Sequence, residues 1–186
     1  MSGLAADTAP IASVLAGGRS RRMGSPKALV ELGGRPLLAW AVSAAREAGL
    51  ETVVVAKPGS ELPPLDVPVW PEPEQPAHPL VGVIAALERA APRAVVVLAC
   101  DMPFVPAELI ARLAALDAVA AAPPGEGFPA RYESAALPVL RAGLEREAPL
   151  RAVLAELGAV EVAAPEGALL GINDPEALAR AAALLR

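Results

Sequence analysis

The chain has 186 residues, 54% of them hydrophobic and 20% charged, which excludes a disordered chain and allows roughly 70% of the unfolded surface to be buried in one domain. A formal net charge of −5 and 3% aromatic residues argue against nucleic-acid binding, which needs basic faces or stacking platforms. One cysteine and one histidine exclude an internal disulfide and a His-rich zinc site.

Residues 1–10 read as a short tail without the basic start and long apolar stretch of a secretory signal. No apolar run further on approaches the ~18 residues that cross a bilayer, so a cytoplasmic protein making no membrane contact is expected. Residues 11–16 (IASVLA) form a short apolar run stopped by Gly17-Gly18 and read as a buried first strand. The polar stretch 19–35 carries Arg19, Arg21, Arg22 and Lys27 and reads as a long loop. Pro36 opens a helix through about Ala48, with Leu37, Trp40, Ala41, Ala44 and Ala48 near one face and Gly49 as the stop. Strands follow at 52–55 and 67–70, then a proline-rich connection over 71–79. The next helix carries Leu80, Val83, Ile84 and Leu87.

Residues 94–100 (AVVVLAC) are the strongest strand signal. That run ends on Asp101 and passes into a helix begun by Pro106, with Leu109, Ile110, Leu113 and Leu116 along it. Beyond Pro123-Pro124 the pattern predicts a strand over 131–137, two helices split by Pro149, short strands near 159–163 and 169–172, and a last helix capped by Asp174-Pro175. Such alternation predicts an α/β fold with a mostly parallel sheet covered by helices on both faces. No linker divides the chain, so 1–186 is expected to form a single domain.

Ligands of open α/β sheets bind at the carboxyl ends of the strands. Two such ends here are polar. At the first, Leu15-Ala16-Gly17-Gly18 leads into Arg19-Ser20-Arg21-Arg22-Met23-Gly24-Ser25-Pro26-Lys27. Glycines let backbone N–H groups close on phosphate oxygens, while arginine and lysine neutralise charge; a solvated basic loop is the other reading. Neither Gly-Lys-Ser/Thr nor G-x-G-x-x-G is present, so this is not a Walker loop or a dinucleotide fingerprint. At the second end stands Asp101, either a turn or capping residue or a ligand for Mg²⁺. A cationic and an anionic strand end together are what a nucleoside triphosphate with Mg²⁺ requires.

The run LAGGRSRRMGSPKALVELGGRPLL resembles the signature of molybdenum cofactor guanylyltransferases, LAGG–x–RMG–x–K followed by G-x-P-L. HPLVG at 78–82, CDMPFV at 100–105 and INDPEAL at 172–178 are similar to that family's later motifs, in the same order. The resemblance implies a three-layer Rossmann-like sandwich of nucleotidyltransferase type. It implies transfer of GMP from GTP to the phosphate of molybdopterin with Mg²⁺ as cofactor, and transient contact with cofactor-delivery or recipient enzymes. By position, Leu15, Ala16, Gly17 and Gly18 would bind the nucleotide. Lys27 and Arg22 would neutralise its phosphates, Asp101 would hold Mg²⁺ and nucleotide, and Asn173 would sit on the pterin or metal side. The chain departs from the pattern at Glu72, where an aspartate is expected, at Ala56-Lys57 in place of an asparagine, at His78 and at Gly171. The alternatives are a molybdopterin cytidylyltransferase using CTP, whose related motif reads LAAG, and a nucleotide-binding protein without catalysis.

Other conspicuous residues receive plainer readings. Cys100 ends an apolar strand and reads as packing rather than as a nucleophile paired with His78. Trp40 falls on the apolar side of its helix. Arg141, Arg146 and Arg151 read as a solvated face, with contact to a substrate phosphate as the alternative.

Overall fold

The computed structural model describes residues 8–16 and 25–185. The chain runs through β1 (Ile11–Leu15), β2 (Glu31–Leu32), β3 (Arg35–Pro36), α1 (Leu37–Glu47), β4 (Glu51–Ala56), β5 (Val69–Pro71), α2 (Pro79–Ala90) and β6 (Val95–Ala99). It continues through α3 (Ala107–Ala114), β7 (Ala120–Ala122), β8 (Ala130–Tyr132), α4 (Leu137–Glu145), α5 (Leu150–Glu156), β9 (Val160–Glu161) and α6 (Pro175–Leu184). Seven strands form one sheet in the order β5-β4-β1-β6-β8-β7-β9. The first four of these are mutually parallel, with Ser13 level with Val53 and Val97; β8 runs antiparallel to β6 and β7, and β9 parallel to β7.

The apolar runs at 11–16 and 94–100 are continuous because both faces of their strands are covered. Ile11, Val53, Val55, Val95, Val97 and Tyr132 face Leu80, Val83, Leu87, Leu140 and Val153 of α2, α4 and α5. Ala12, Val14, Val54, Val96 and Leu98 face Leu38, Val42, Leu109, Ile110 and Leu113 of α1 and α3. The result is the three-layer α/β sandwich expected, with β1 and β6 adjacent at its centre. From β1 the chain builds outward through β4 to β5, then returns to place β6 on the other flank of β1. This is the reversal in strand order that opens a crevice at the carboxyl ends.

Some expectations change. Within 19–35, β2 and β3 form a hairpin whose turn is Gly33-Gly34, at φ 61° and 76°, a pairing that needs two left-handed residues. The strand expected over 131–137 stops at Tyr132. A 3-10 turn over Ser134–Ala136 leads into α4, where Pro138 sits in the first turn and so does not break the helix. Residues 169–172 form no strand, because Ile172 N–H meets a single carbonyl, that of Asp101, at 2.8 Å. β7 is three alanines, strand-forming through burial between neighbours rather than propensity. A smaller apolar cluster of Val30, Leu32, Leu37, Ile172 and Ala181 joins the hairpin, α1 and α6. It brings the end of the chain to the carboxyl edge of the sheet.

Candidate active site at the carboxyl edge of the sheet

Leu15 and Ala16 complete the ladder at this edge. Ala16 N–H donates to Val55 O at 2.8 Å, and Leu15 O accepts from Cys100 N–H at 3.2 Å. Asp101 is therefore the first residue past the ladder, directly beside the point where the basic loop begins. Of the residues assigned to that loop, Gly17, Gly18 and Arg22 lie outside the described residues.

Lys27 belongs to a 3-10 turn, Lys27–Leu29, anchored by buried Ala28. Its ammonium lies 2.5 Å from Asp101 Oδ2 and 2.5 Å from Asn173 Oδ1. Three assigned residues, from three distant parts of the chain, thus meet at one point. Asn173 is fixed from both sides. Ile172 is buried and bonds through its N–H to the backbone of Asp101, and Asp174 Oδ1 accepts from Ala177 N–H at 2.8 Å as the N-cap of α6.

The capping alternative for Asp101 is set aside by geometry. The N-cap of α3 is Pro106 with no side-chain bond, and the turn after β6 closes by backbone contact from Met102 N–H to Ala99 O at 3.3 Å. The side chains of Lys27 and Asp101 are each 18% exposed, so solvent and salt screen their attraction less than that of a surface pair. Among the described residues no group of three His, Cys, Asp or Glu side chains forms a metal cage. The donor set is one hard carboxylate beside an amide oxygen. That fits Mg²⁺, which takes few protein ligands and fills its shell with phosphate and water.

A second polar pair stands farther along the same edge. Glu72 follows β5 and is 8% exposed, with its N–H donating to Ala56 O at 3.0 Å. Burial pushes its carboxyl above the ordinary range, and nearby Lys57 partly opposes that rise. Lys57 Nζ is 3.9 Å from Glu72 Oε1 and donates to the carbonyls of Pro73 and Glu74 at 3.0 and 2.6 Å. The sequence marked both residues only as departures from a pattern. Their pairing depends on how the proline-rich connection folds back, which no local signal reports.

The plainer readings hold where side chains are placed. Cys100 is buried, and its thiol is pushed up to about 12 chiefly by burial, then by Asp101, with Lys27 acting in the opposite direction. His78 is the N-cap of α2, its Nδ1 accepting from Leu80 N–H at 3.2 Å. Trp40 packs in the cluster with Leu32 and Leu37, and its Nε1 donates to Leu32 O at 3.1 Å. Arg141 and Arg146 make exposed ion pairs with Glu88 and Glu156, and Arg151 is exposed. A cavity of about 470 Å³ lies at the opposite edge, lined by Thr8, Pro92, Asp117 and Arg131. Arg131 there donates to Glu133 at 2.9 Å and to Ala118 O, while its Nε and Ser134 Oγ, both on that cavity, are buried with no hydrogen-bond partner among the described residues.

The family profile for the MobA-like NTP transferase domain matches residues 12–162. A relative from Cereibacter sphaeroides, named molybdenum cofactor guanylyltransferase, is 37% identical over 189 residues, covering 93% of this chain and 95% of its own. The solved structure of molybdopterin-guanine dinucleotide biosynthesis protein A from Archaeoglobus fulgidus superposes with a TM-score of 0.74 at 24% identity, covering 94% of this chain and 97% of its own. That of 2-C-methyl-D-erythritol 4-phosphate cytidylyltransferase from Thermus thermophilus gives 0.71 at 26% identity, covering 94% and 98%.

Proposed function

As a member of the MobA-like NTP transferase family, the chain is a nucleotidyltransferase, and we propose that it transfers GMP from GTP to the phosphate of molybdopterin. One observation carries this reading beyond the names of relatives. The ammonium of Lys27 lies between the carboxylate of Asp101 and the amide oxygen of Asn173, at the strand ends where the sheet order reverses. A lysine brings mobile positive charge to phosphates, and the carboxylate beside it supplies the hard oxygen that a nucleotide's divalent cation requires.

The reaction asks for positioning and charge neutralisation. A phosphate oxygen of the pterin attacks the α-phosphorus of GTP in line; the new P–O bond forms as the bond to the β-phosphate breaks, and pyrophosphate leaves. The attacking phosphate is already ionised, so no side chain needs to act as a general base. Leu15 and Ala16, at the end of β1, bind the nucleotide together with Gly17 and Gly18. Lys27 neutralises charge that accumulates as the two anions meet, and Arg22 supports it. Asn173 holds Lys27 from the pterin side. Mg²⁺, held by Asp101, would supply Lewis-acid polarisation of the phosphate oxygens. The reaction suits a cytoplasmic enzyme that hands its product to recipient proteins. No helix of the described residues is long and apolar enough to cross a membrane.

Asp101→Asn tests the reading, because it preserves size while removing charge. The expected outcome is an unchanged melting temperature, loss of Mg²⁺-dependent GTP binding in calorimetry, and pyrophosphate release lowered on the order of 10²–10³-fold. Normal MgGTP binding and turnover by this variant would falsify the role of Asp101. Equal or better turnover of the wild type with CTP would replace guanylyl by cytidylyl transfer.

A further inference from the structure

The cavity of about 470 Å³ lies at the amino ends of the central strands, away from Lys27 and Asp101. Pro10 and Ala94 line it just before β1 and β6, so the length of β6, roughly 20 Å by ordinary strand rise, separates it from Asp101. One water takes ~30 Å³, so the cavity has room for a small molecule rather than for a single bridging water.

Its wall holds a buried arginine. Arg131 of β8 is level with Val96 and Ala121, on the sheet face that packs against α1 and α3, and is only 5% exposed. A guanidinium so placed ordinarily satisfies its donors. Arg131 does so in part: Nη2 donates to Glu133 at 2.9 Å and Nη1 to Ala118 O, while Nε has no partner among the described residues. The Oγ of Ser134, just past β8, belongs to the same cavity and is likewise buried without a partner. Two donors left open on one cavity call for an acceptor, and a carboxylate offers an oxygen to each.

The remaining charges decide what else the ligand carries. Asp117 and Glu133 are acidic side chains of the cavity, and Arg131 is its one cation among the described residues. Glu133 is paired with Arg131, whereas Asp117 stands exposed. The cavity also abuts the C-terminal end of α3 at Ala114 and Ala115, where the helix dipole favours a cation. A dianion such as phosphate meets this acidic surplus and is disfavoured. We propose that the cavity binds a small zwitterion of the amino-acid type, its carboxylate accepting from Arg131 Nε and Ser134 Oγ and its ammonium facing Asp117 and the end of α3. The site is independent of the guanylyl-transfer reading, since none of Lys27, Asp101 and Asn173 lines it.

Heteronuclear NMR of the full chain tests this, with the Arg131 Nε–H and the Ser134 amide as reporters. The probes are glycine, β-alanine and γ-aminobutyrate, which part the two charges by successive methylenes. At least one should shift both resonances saturably and bind about tenfold tighter than acetate or methylammonium, each of which lacks one charged contact. Ser134→Ala removes an unpartnered hydroxyl, so it should keep Tm and weaken binding severalfold. Asp117→Asn, at an exposed position, should erase the advantage over acetate. Saturating MgGTP should leave the shifts in place. If no probe moves the reporters, the cavity holds solvent only and the proposal fails. Acetate or inorganic phosphate binding as tightly as the best zwitterion would make this a plain anion site and overturn it as well. Displacement of the probe by MgGTP, or unchanged affinity in both variants, would put the probe elsewhere and end the proposal too.

Discussion

Cys100 and Asp101 are sequence neighbours with opposite surroundings: Cys100, whose N–H still bonds to Leu15 O of β1, is covered in the cluster with α1 and α3, while the next residue clears the sheet. The thiol, pushed up to about 12 mainly by burial, stays protonated at neutral pH, and only the thiolate is nucleophilic. Iodoacetamide at pH 8 should leave the native protein unlabelled by intact mass yet modify Cys100 within minutes in urea; rapid native labelling would show that the strand end opens. The same juxtaposition explains what the sequence conveys about the site. A strand-terminal Asp after an apolar run is legible because burial on both faces forces the run to be continuous, which marks its end sharply. The contacts of Lys57 are not legible, because they run to the carbonyls of Pro73 and Glu74 across a connection of no fixed period.

At the scale of elements, α6 does more than close the chain. Its N-cap Asp174 is bonded to Ala177 N–H, and the preceding two residues are Ile172, buried, and Asn173, in the site. Asp174→Ala should cost about 1 kcal/mol, the usual worth of such a cap, and lower Tm by roughly 2–4 °C in a chain of this size. Its GTP affinity should change less than that of Asp101→Asn, because Ile172 remains anchored on the backbone of Asp101. A melt and a titration on the same sample check both statements. Long helices with a clear apolar stripe were legible: α1 to within a residue at each end, and α2 in the buried Leu80, Val83, Ile84 and Leu87 it carries. The hairpin β2–β3 was not, since strands of two residues have no period to read and only Gly33-Gly34 announces the turn. β7 was missed because alanine carries almost no strand preference.

For the whole molecule, protection follows coverage. β1, β4 and β6 are buried on both faces, whereas β9 is exposed along both its residues. Native-state hydrogen exchange should therefore be slowest for amides of Ala12, Val14, Val54 and Val96, approaching the global stability, and fastest among strand residues in β9 and the hairpin. Comparable protection in β9 would mean that its edge is covered in solution. The layer architecture was readable from alternation because α1, α2 and α3 each alternate with strands along the chain, although β4 reaches its parallel neighbour β5 over 57–68 without a helix. The antiparallel turn of β8 was not, since nothing local in ARY sets its direction.

Strand order also bears on the birth of the protein at the ribosome. The four contiguous parallel strands β5-β4-β1-β6 are complete once β6 has been made, and β8, β7 and β9 all add beyond β6 on one flank. A nascent chain can thus zip its central sheet as it emerges, with no gap held open for a strand still to be translated. Lys27 and Asp101 can already meet at that stage. Asn173 comes from much later in the chain, so translation delivers the charge pair first and the latch across it near the end.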